Sequence, residues 1–590
     1  MFLNGGNGRA LRAAIRAPDA PLTGPYNKLH RALRSFICRA NPRCARLSQP
    51  GTPMSSSSPI RTADPLAARI QAATELLEEC LHDRGLLAHV DTQTRERLLI
   101  AAGRLSRPDR HERKALAREQ GKIDRSQKRD TDEALLNQTG IRKLRENPIF
   151  LTPRRRAIHT GVVPQLAGYA AEFSAATEPV AQGGTTPYPR DETLKSPGDV
   201  SEERLCYCCR APYTQIHHFY DQLCPTCGDF NFERRDPHAD LNGRVALVTG
   251  ARVKIGYHAV ILLLRSGCRV IAATRFPHDA ARRYAAEHDY DQWKDRLHIY
   301  GIDLRHTPSV EQFCQHLLGT LDRLDFIINN ACQTVRRPAG FYDHLMDAEL
   351  DPSPLSHAER VLVTPLRRAA ELSSEGAPDF QVTALSSERH VSSAMMSQLE
   401  LLAEDRERGA HLFPEGALDA DQQQVDLRTV NSWRLRLSEV PTVELLEVQL
   451  VNAVAPFILN ARLKPLMLRV PTHDKHIVNV SAMEGQFYRV MKNDRHPHTN
   501  MAKAALNMLT RTAAMDYVRD GIHMNSVDTG WVTDEDPAEH ARLKREIHRF
   551  HPPLDVVDGA ARIVDPIFSG INSGEHVWGQ FLKDYRITDW

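Results

Sequence analysis

Apolar and polar positions alternate in blocks through the second half of the chain. Val245-Ala-Leu-Val248 is a short apolar run, and Thr249-Gly250-Ala-Arg252-Val-Lys254-Ile255-Gly256 follows it at once. Cys268–Arg275, Leu297–Asp303, Leu324–Cys332, His476–Ser481 and Ile522–Val527 are further strand-like runs, with helical periodicity between them. Strands alternating with helices predict an α/β fold with a doubly wound parallel sheet. A strand entering a Gly-bounded turn and then a helix offers backbone N–H groups and a positive helix end to a phosphate. The fourth run gathers its polar residues, Asn329-Asn330-Ala331, at its carboxyl end, where open α/β sheets bind ligands.

The first half has a different pattern. Residues 64–174 form a helical, basic region: Leu66, Ile70, Leu76 and Leu77, then Leu98, Leu99 and Ile100, are apolar among charges, which predicts a small helical pair. Arg104–Arg129 carries ten Lys/Arg against four acids. A solvated helix is expected there rather than a nucleic-acid arm, because opposite charges interleave and no Phe, Tyr or Trp does. Residues 175–203, rich in Pro, Gly, Thr and Ser, read as a linker, 204–240 as a small lobe, and 241–590 as the α/β domain. Cys332 and Asn452 are separated by 119 residues, so an insertion at about 335–440 interrupts that domain. Its polar, irregular character predicts a partly ordered cover over the site that becomes flexible further on.

Composition narrows the class. The 590 residues include 41% hydrophobic and 25% charged side chains with a net charge of +2, which pulls toward neither nucleic acid nor membrane. Apolar runs fall short of the ~18 residues a membrane helix needs. Eleven cysteines in so long a chain, five of them clustered, suit a reducing compartment. A cytoplasmic location is expected. Residues 1–63 hold nine Arg, one Lys and a single acid, and read as an extension upstream of a start at Met54, or as an organelle transit peptide leading to a matrix location.

The small lobe contains Cys206-Tyr-Cys208-Cys209 and, fourteen residues on, Cys224-Pro-Thr-Cys227-Gly228. Paired C-x-x-C units suit tetrahedral zinc at ~2.3 Å per thiolate. Cys206, Cys209, Cys224 and Cys227 are the expected ligands of one structural zinc, with Cys208, His217 and His218 as alternates. Gly228 is expected to permit a tight knuckle turn. Four protein ligands close the site, so zinc catalysis is not expected.

Taken in order, Thr249-Gly250…Gly256, Asp303-Leu304, Asn329-Asn-Ala331, Asn452, Asn479-Val-Ser481, Lys503 and Asn525-Ser-Val-Asp-Thr-Gly530-Trp-Val-Thr533 resemble the short-chain dehydrogenase/reductase family over about residues 241–590. The resemblance implies a Rossmann sheet, a nicotinamide coenzyme, a small carbonyl or alcohol substrate and a homo-oligomer. It implies a coenzyme site made by Thr249, Gly250, Arg252, Lys254, Ile255, Gly256, Arg275, Asp303, Leu304, Asn330, Ala331, Lys503 and Thr533. Asp303 would hold the adenine, Asn330 would line the ribose side, and Thr533 would meet the carboxamide. Lys503 would bind the nicotinamide ribose and Asn452 would orient a water. Three positions depart from the family pattern: Lys254 replaces the middle Gly of the turn, Ala482 takes the place of the catalytic Ser, and Thr499 takes that of the Tyr. Thr is a far weaker acid than a phenol with its pKa near ~10, so the donor is open among Thr499, Ser481 and Tyr488, with His496 and His498 close by. The second strand ends in Arg275 with no carboxylate for a ribose hydroxyl pair, which favours NADP over NAD. Two functions stand: an NAD(P)-dependent oxidoreductase, and a catalytically altered NAD(P)-binding scaffold acting through protein partners.

Overall fold

The computed structural model describes residues 65–154, 195–364, 392–488 and 492–590. The Arg-rich stretch 1–63, most of the expected linker and part of the insertion lie outside the described residues. Two compact units meet within one helix, at Leu116 and Ala117.

In the first unit, α1 (Pro65–His82) and α2 (Thr92–Ser106) are joined by a 3-10 turn. Asp83 and Asp91 cap the turn and α2 by accepting the N–H of Gly85 at 2.8 Å and of Thr94 at 2.9 Å. Leu66, Ile70, Leu76, Leu99 and Ile100 are each more than half exposed, so the apolar periodicity makes helices here without burying them. The helix α3 (Arg110–Leu136) carries the basic stretch and is exposed over most of its length, as a solvated helix should be.

In the second unit, α4 (Gly140–Glu146) is followed by an antiparallel hairpin of β1 (Asp199–Leu205) and β2 (Pro212–Gln215), and then by α5 (Pro225–Glu233). Strand β1 starts inside the stretch expected to be linker, because Val200 belongs to the lobe's core. The sheet is built from β3 (Val245–Thr249), β4 (Arg269–Thr274), β5 (Leu297–Gly301), β6 (Phe326–Asn329), β7 (Lys475–Ser481), β8 (Ile522–Asp528), β9 (Phe581–Lys583) and β10 (Arg586–Thr588). Between them run α6 (Lys254–Arg265), α7 (Pro277–Ala285), α8 (Thr307–Thr320), α9 (Asp343–Leu350), α10 (His357–Leu362), α11 (Thr442–Gln449), α12 (Ala455–Met467), α13 (Pro497–Val518), α14 (Ala538–His548) and α15 (Val556–Ser573). Strand order is β10-β9-β8-β7-β6-β3-β4-β5, parallel except for β10. The order reverses between β3 and β6, and that switch point opens a ligand crevice at the carboxyl ends.

Strand side chains alternate between two cores. Ala246, Val248, Val270, Ile328 and Val478 pack with α6 and α15, while Leu247, Ile271, Ile327 and Ile477 pack with α8, α12 and α13. The second face includes a buried amide set, with Asn329 donating to Asn460 and Asn479 at 2.8 Å each and Asn479 to Thr510 at 2.9 Å.

The segment Thr442–Met467 is continuous helix, with a π-turn at Leu450–Val454 between α11 and α12. By length and composition it is apolar enough to cross a membrane, contrary to the expectation that no such segment exists. One face explains the composition: Ala455, Leu459, Leu463 and Leu466 are fully buried against the sheet. Leu446 and Phe457 are more than half exposed on the other, and Met501, Met508 and Met515 of α13 are exposed as well.

Residues 335–440, where described, are largely ordered. Phe341, Tyr342, Leu345, Met346, Ala394 and Phe413 form a core of their own with Phe276. Arg336, 4% exposed, joins Asp405 at 2.7 Å and Glu447 at 3.0 Å.

Candidate functional site

The turn after β3 closes as the glycine spacing predicts. Gly250 has φ of +66°, and a Cβ there would lie 2.8 Å from Ala331 Cα. A Cβ on Gly256 would lie 2.3 Å from Asn330 Nδ2 and from Gly250 O. Asn330 Nδ2 donates to the carbonyls of Thr249 at 3.0 Å and Gly250 at 3.2 Å, and Ala331 N donates to Thr249 Oγ1 at 3.0 Å. Asn330 therefore clamps the turn to the end of β6. Lys254, at the family's middle Gly, takes the left-handed conformation with φ of +56°, which a Gly would adopt without strain. Ile255 packs against α15, and the Leu304 side chain packs in the core under the sheet.

The other expected coenzyme contacts are engaged by the chain itself. Arg275 donates to Tyr342 Oη at 2.7 Å and Ser397 Oγ at 3.2 Å. The Asp303 carboxylate is held by Arg305 at 2.6 Å, which also binds Glu447 and the Met396 carbonyl. Arg252 pairs with Asp279 at 2.7 Å. Thr533 donates to Glu535 Oε1 at 2.6 Å. Burial pushes the Lys254 pKa down, but the charges of Glu535, Asp421 and Asp419 prevail and raise it. The turn fits a dinucleotide phosphate. With its adenosine and carboxamide readers engaged, the crevice in this arrangement does not fit the rest.

Asn452 lies in the π-turn, which packs on α13. Expected to orient a water, its amide instead accepts from Gln333 N at 2.7 Å and donates to Gln333 O at 3.3 Å, tying the helix to the loop after β6. Lys503 is 4% exposed and donates to Val480 O at 2.7 Å. Thr499 lies one turn earlier on the same face of α13. Thr499 Oγ1 and Ser481 Oγ are buried without a hydrogen-bond partner among the described residues. Tyr488, considered as a donor, is 82% exposed. His498 is paired with Glu444 at 3.1 Å, and His496 stacks on Trp433 with ring centroids 3.9 Å apart.

In the small lobe the Sγ atoms of Cys206, Cys209, Cys224 and Cys227 all lie within 4.8 Å of one another, and Cys209 and Cys224 are 3.7 Å apart. A regular tetrahedron with ~2.3 Å metal–sulfur bonds has edges of ~3.8 Å, so these thiols fit zinc. The alternates do not converge on them. The Cys208 thiol contacts Asn231, and burial pushes its pKa up to about 12. His217 Nδ1 accepts the N–H of Phe219 and Tyr220, so Nε2 carries the proton and faces Asp229 at 3.2 Å. The left-handed knuckle residue is Arg210, φ +61°, rather than Gly228. Gly228 serves packing, since a Cβ there would sit 2.4 Å from the His217 ring.

The lobe is joined to the α/β body. Tyr220 donates to Asp558 at 2.5 Å, Arg235 bonds Asp555 twice at 2.8 Å, and Arg562 donates to Asn231 at 2.6 Å. Between the first two cysteines of the cluster, Tyr207 Oη accepts the N–H of Trp531 at 2.9 Å, in the loop that carries Thr533. Nothing local in the sequence signals this link.

Residues 244–349 match the family model for short chain dehydrogenase, and 430–554 that for enoyl-(acyl carrier protein) reductase. An uncharacterised protein of Acanthamoeba polyphaga mimivirus is 31% identical over 396 residues, 65% of this chain and 75% of that protein. The chain belongs to the short-chain dehydrogenase/reductase family. Other family relatives match over shorter stretches. A fatty acyl-CoA reductase of Acinetobacter baylyi is 30% identical over 98 residues, 17% of this chain and 32% of that enzyme. A WW domain-containing oxidoreductase of Drosophila melanogaster is 34% identical over 95 residues, 16% of this chain and 23% of that protein. The chain thus spans under a third of those two relatives' lengths. An NADPH-bound carbonyl reductase structure from chicken fatty liver is 17% identical, covering 59% of this chain and all of that one, with a TM-score of 0.35.

Proposed function

We propose that the protein is an NADP(H)-dependent oxidoreductase acting on a small carbonyl or alcohol substrate. The observation that carries this reading is the Gly250–Gly256 turn, clamped by Asn330, in a family frame that also buries Lys503 and holds Asn452 in a π-turn. Lys503 uses one of its three donors on Val480 O, leaving two for a ribose and a proton donor. Its ammonium stabilises negative charge developing nearby. Thr499, without a phenol's acidity, positions a water or the substrate hydroxyl. Arg275 favours the 2′-phosphate of NADP, once released from Tyr342. Titration calorimetry with NADPH and NADH, followed by nicotinamide absorbance with a panel of aldehydes, ketones and alcohols, tests the reading. Tighter NADH binding removes the coenzyme preference.

The second reading, a coenzyme-binding scaffold, is favoured by Ala482, Thr499 and the solvent-facing Tyr488. NADPH binding without turnover on that panel selects it. We also propose one structural zinc in the small lobe. Self-association is proposed through the apolar face formed by Leu446, Phe457, Met501, Met508 and Met515.

A further inference from the structure

The insertion supplies most of the groups that engage the expected coenzyme contacts. Tyr342, Ser397, Asp419 and Asp421 come from the insertion, Glu535 from the loop after β8, and Asp279 and Arg305 from the frame itself. Asp419, Asp421, Gln422 and Gln423 form a turn packed over the phosphate-binding segment. Arg283 of α7 donates to the Asp421 carbonyl at 3.0 Å and the Gln422 carbonyl at 3.2 Å. Phe150 N donates to the Ala420 carbonyl at 2.8 Å, and Arg252 Nη2 lies 3.5 Å from Gln423 Oε1. Glu535 is fixed from two sides, by the Thr533 hydroxyl at 2.6 Å and by Asn431 Nδ2 on its carbonyl at 2.8 Å. At the adenosine end, Tyr342 packs on Phe276 with ring centroids 5.0 Å apart, and Ser393 Oγ donates to the Arg275 carbonyl at 2.7 Å. A phosphate turn is an anion site, and a turn bearing two carboxylates is brought beside its Arg252. A ribose-phosphate reader is a guanidinium, and a phenol oxygen is brought to it.

We propose that the chain occupies its own coenzyme crevice: the turn carrying Asp419 and Asp421 is held beside Arg252 of the phosphate-binding segment, Glu535 takes up Thr533, and Tyr342 stands at Arg275 in place of the 2′-phosphate end, so that coenzyme binds only in exchange for the insertion. The proposal rests on the NADP(H) reading for its ligand, but the self-occupied state exists without it. Intramolecular competition of this kind lowers apparent affinity by the fraction of molecules in the open state. It also predicts that salt, which weakens carboxylate–ammonium attraction, opens the crevice.

Hydrogen exchange and NADPH titration on the full chain and on a D419N/D421N variant test it together. Neither carboxylate touches the catalytic positions, and both amides keep the side-chain size. Without coenzyme, amides of residues 413–425 should exchange at least about tenfold faster in the variant, and faster in the full chain as salt is raised. NADPH should bind the variant at least about tenfold more tightly than the unmodified chain, and should speed exchange at 413–425 in the latter. Unchanged exchange in the variant, or protection of 413–425 by NADPH in the unmodified chain, overturns self-occupation whatever the affinity. Faster exchange with no NADPH binding to either protein supports self-occupation and overturns the coenzyme reading instead. Faster exchange with equal NADPH affinity overturns the exchange of insertion for coenzyme.

Discussion

Replacing Arg235 with Met should separate the cysteine lobe from the α/β body energetically while leaving its chain length and packing volume nearly unchanged. The Arg235 side chain is 2% exposed. Its guanidinium bonds both Asp555 oxygens at 2.8 Å, reaches Asp558 at 2.8 Å and lies 4.4 Å over the Phe219 ring. Asp555 also caps α15 by accepting the N–H of Val557 and Asp558. Removing the cation leaves two carboxylates buried side by side, and breaking a buried pair from one side costs about 3–5 kcal/mol. The pH dependence has a definite sign. Burial raises the Asp555 pKa, but Arg235 outweighs it and holds the group low; Asp558 is raised by burial despite Arg235. Without Arg235 both carboxyls rise above their unfolded values, so the folded variant binds more protons than the unfolded chain. Its stability deficit should therefore be largest near about pH 7.5 and shrink toward about pH 5.5, where the carboxyls protonate. Denaturant unfolding at those two pH values, followed by fluorescence, measures it, with Arg234→Ala as control. Arg234 is 35% exposed, 3.7 Å from Asp565 and over the Phe230 ring, and its loss should cost about 1 kcal/mol with no dependence on pH between those two values. A deficit for Arg235→Met below about 1 kcal/mol, or one equal at both pH values, refutes the reasoning.

Metal analysis of the purified protein should find about one zinc per chain, and Cys224→Ser should lose it; because Tyr207 holds Trp531, that variant should also increase exchange at Gly530–Thr533. Lys503→Ala should abolish turnover, whereas Thr499→Val should lower kcat about ten- to a hundredfold, ~1.4–3 kcal/mol of barrier; equal damage from both would make Thr499 a catalytic residue. His476 and His523, at the amino ends of β7 and β8, cluster with His576, with His523 stacked on His576 and His476 Nε2 3.0 Å from His576 Nδ1, and burial lowers all three pKa values. Their stabilisation is complete above the unfolded histidine pKa of ~6.5 and is lost as pH falls below it; in urea unfolding, His576→Asn should flatten that acid slope. Met508→Glu should dissociate an oligomer in analytical ultracentrifugation, since Met508 is 57% exposed on the apolar face; a monomeric unmodified protein would remove the interface.

What was legible in the sequence is what neighbouring residues determine. Strands β3 to β8 begin and end within a few residues of their apolar runs, because a fully buried parallel strand needs a continuous apolar stretch. The cysteine cluster was legible because each knuckle fixes two ligands three residues apart. Strands β9 and β10 were not, since three residues each carry too little periodicity to stand out. The insertion is more instructive. Its Arg336, Asp405 and Asp426, with Asp303, Arg305 and Glu447 of the frame they dock on, have the composition of a solvated segment, yet each is mostly buried in ion pairs. A charge pattern is the same whether its charges face water or one another; the difference lies in pairs such as Arg336 with Glu447, which are 111 residues apart. The same limit applies at the turn. Spacing identifies Gly250 and Gly256 as the makers of a phosphate site, but no spacing reveals that Gln423 comes beside Arg252 or that Glu535 takes up Thr533. A motif thus specifies which ligand a frame can hold, and the non-local contacts of the insertion specify what competes for it.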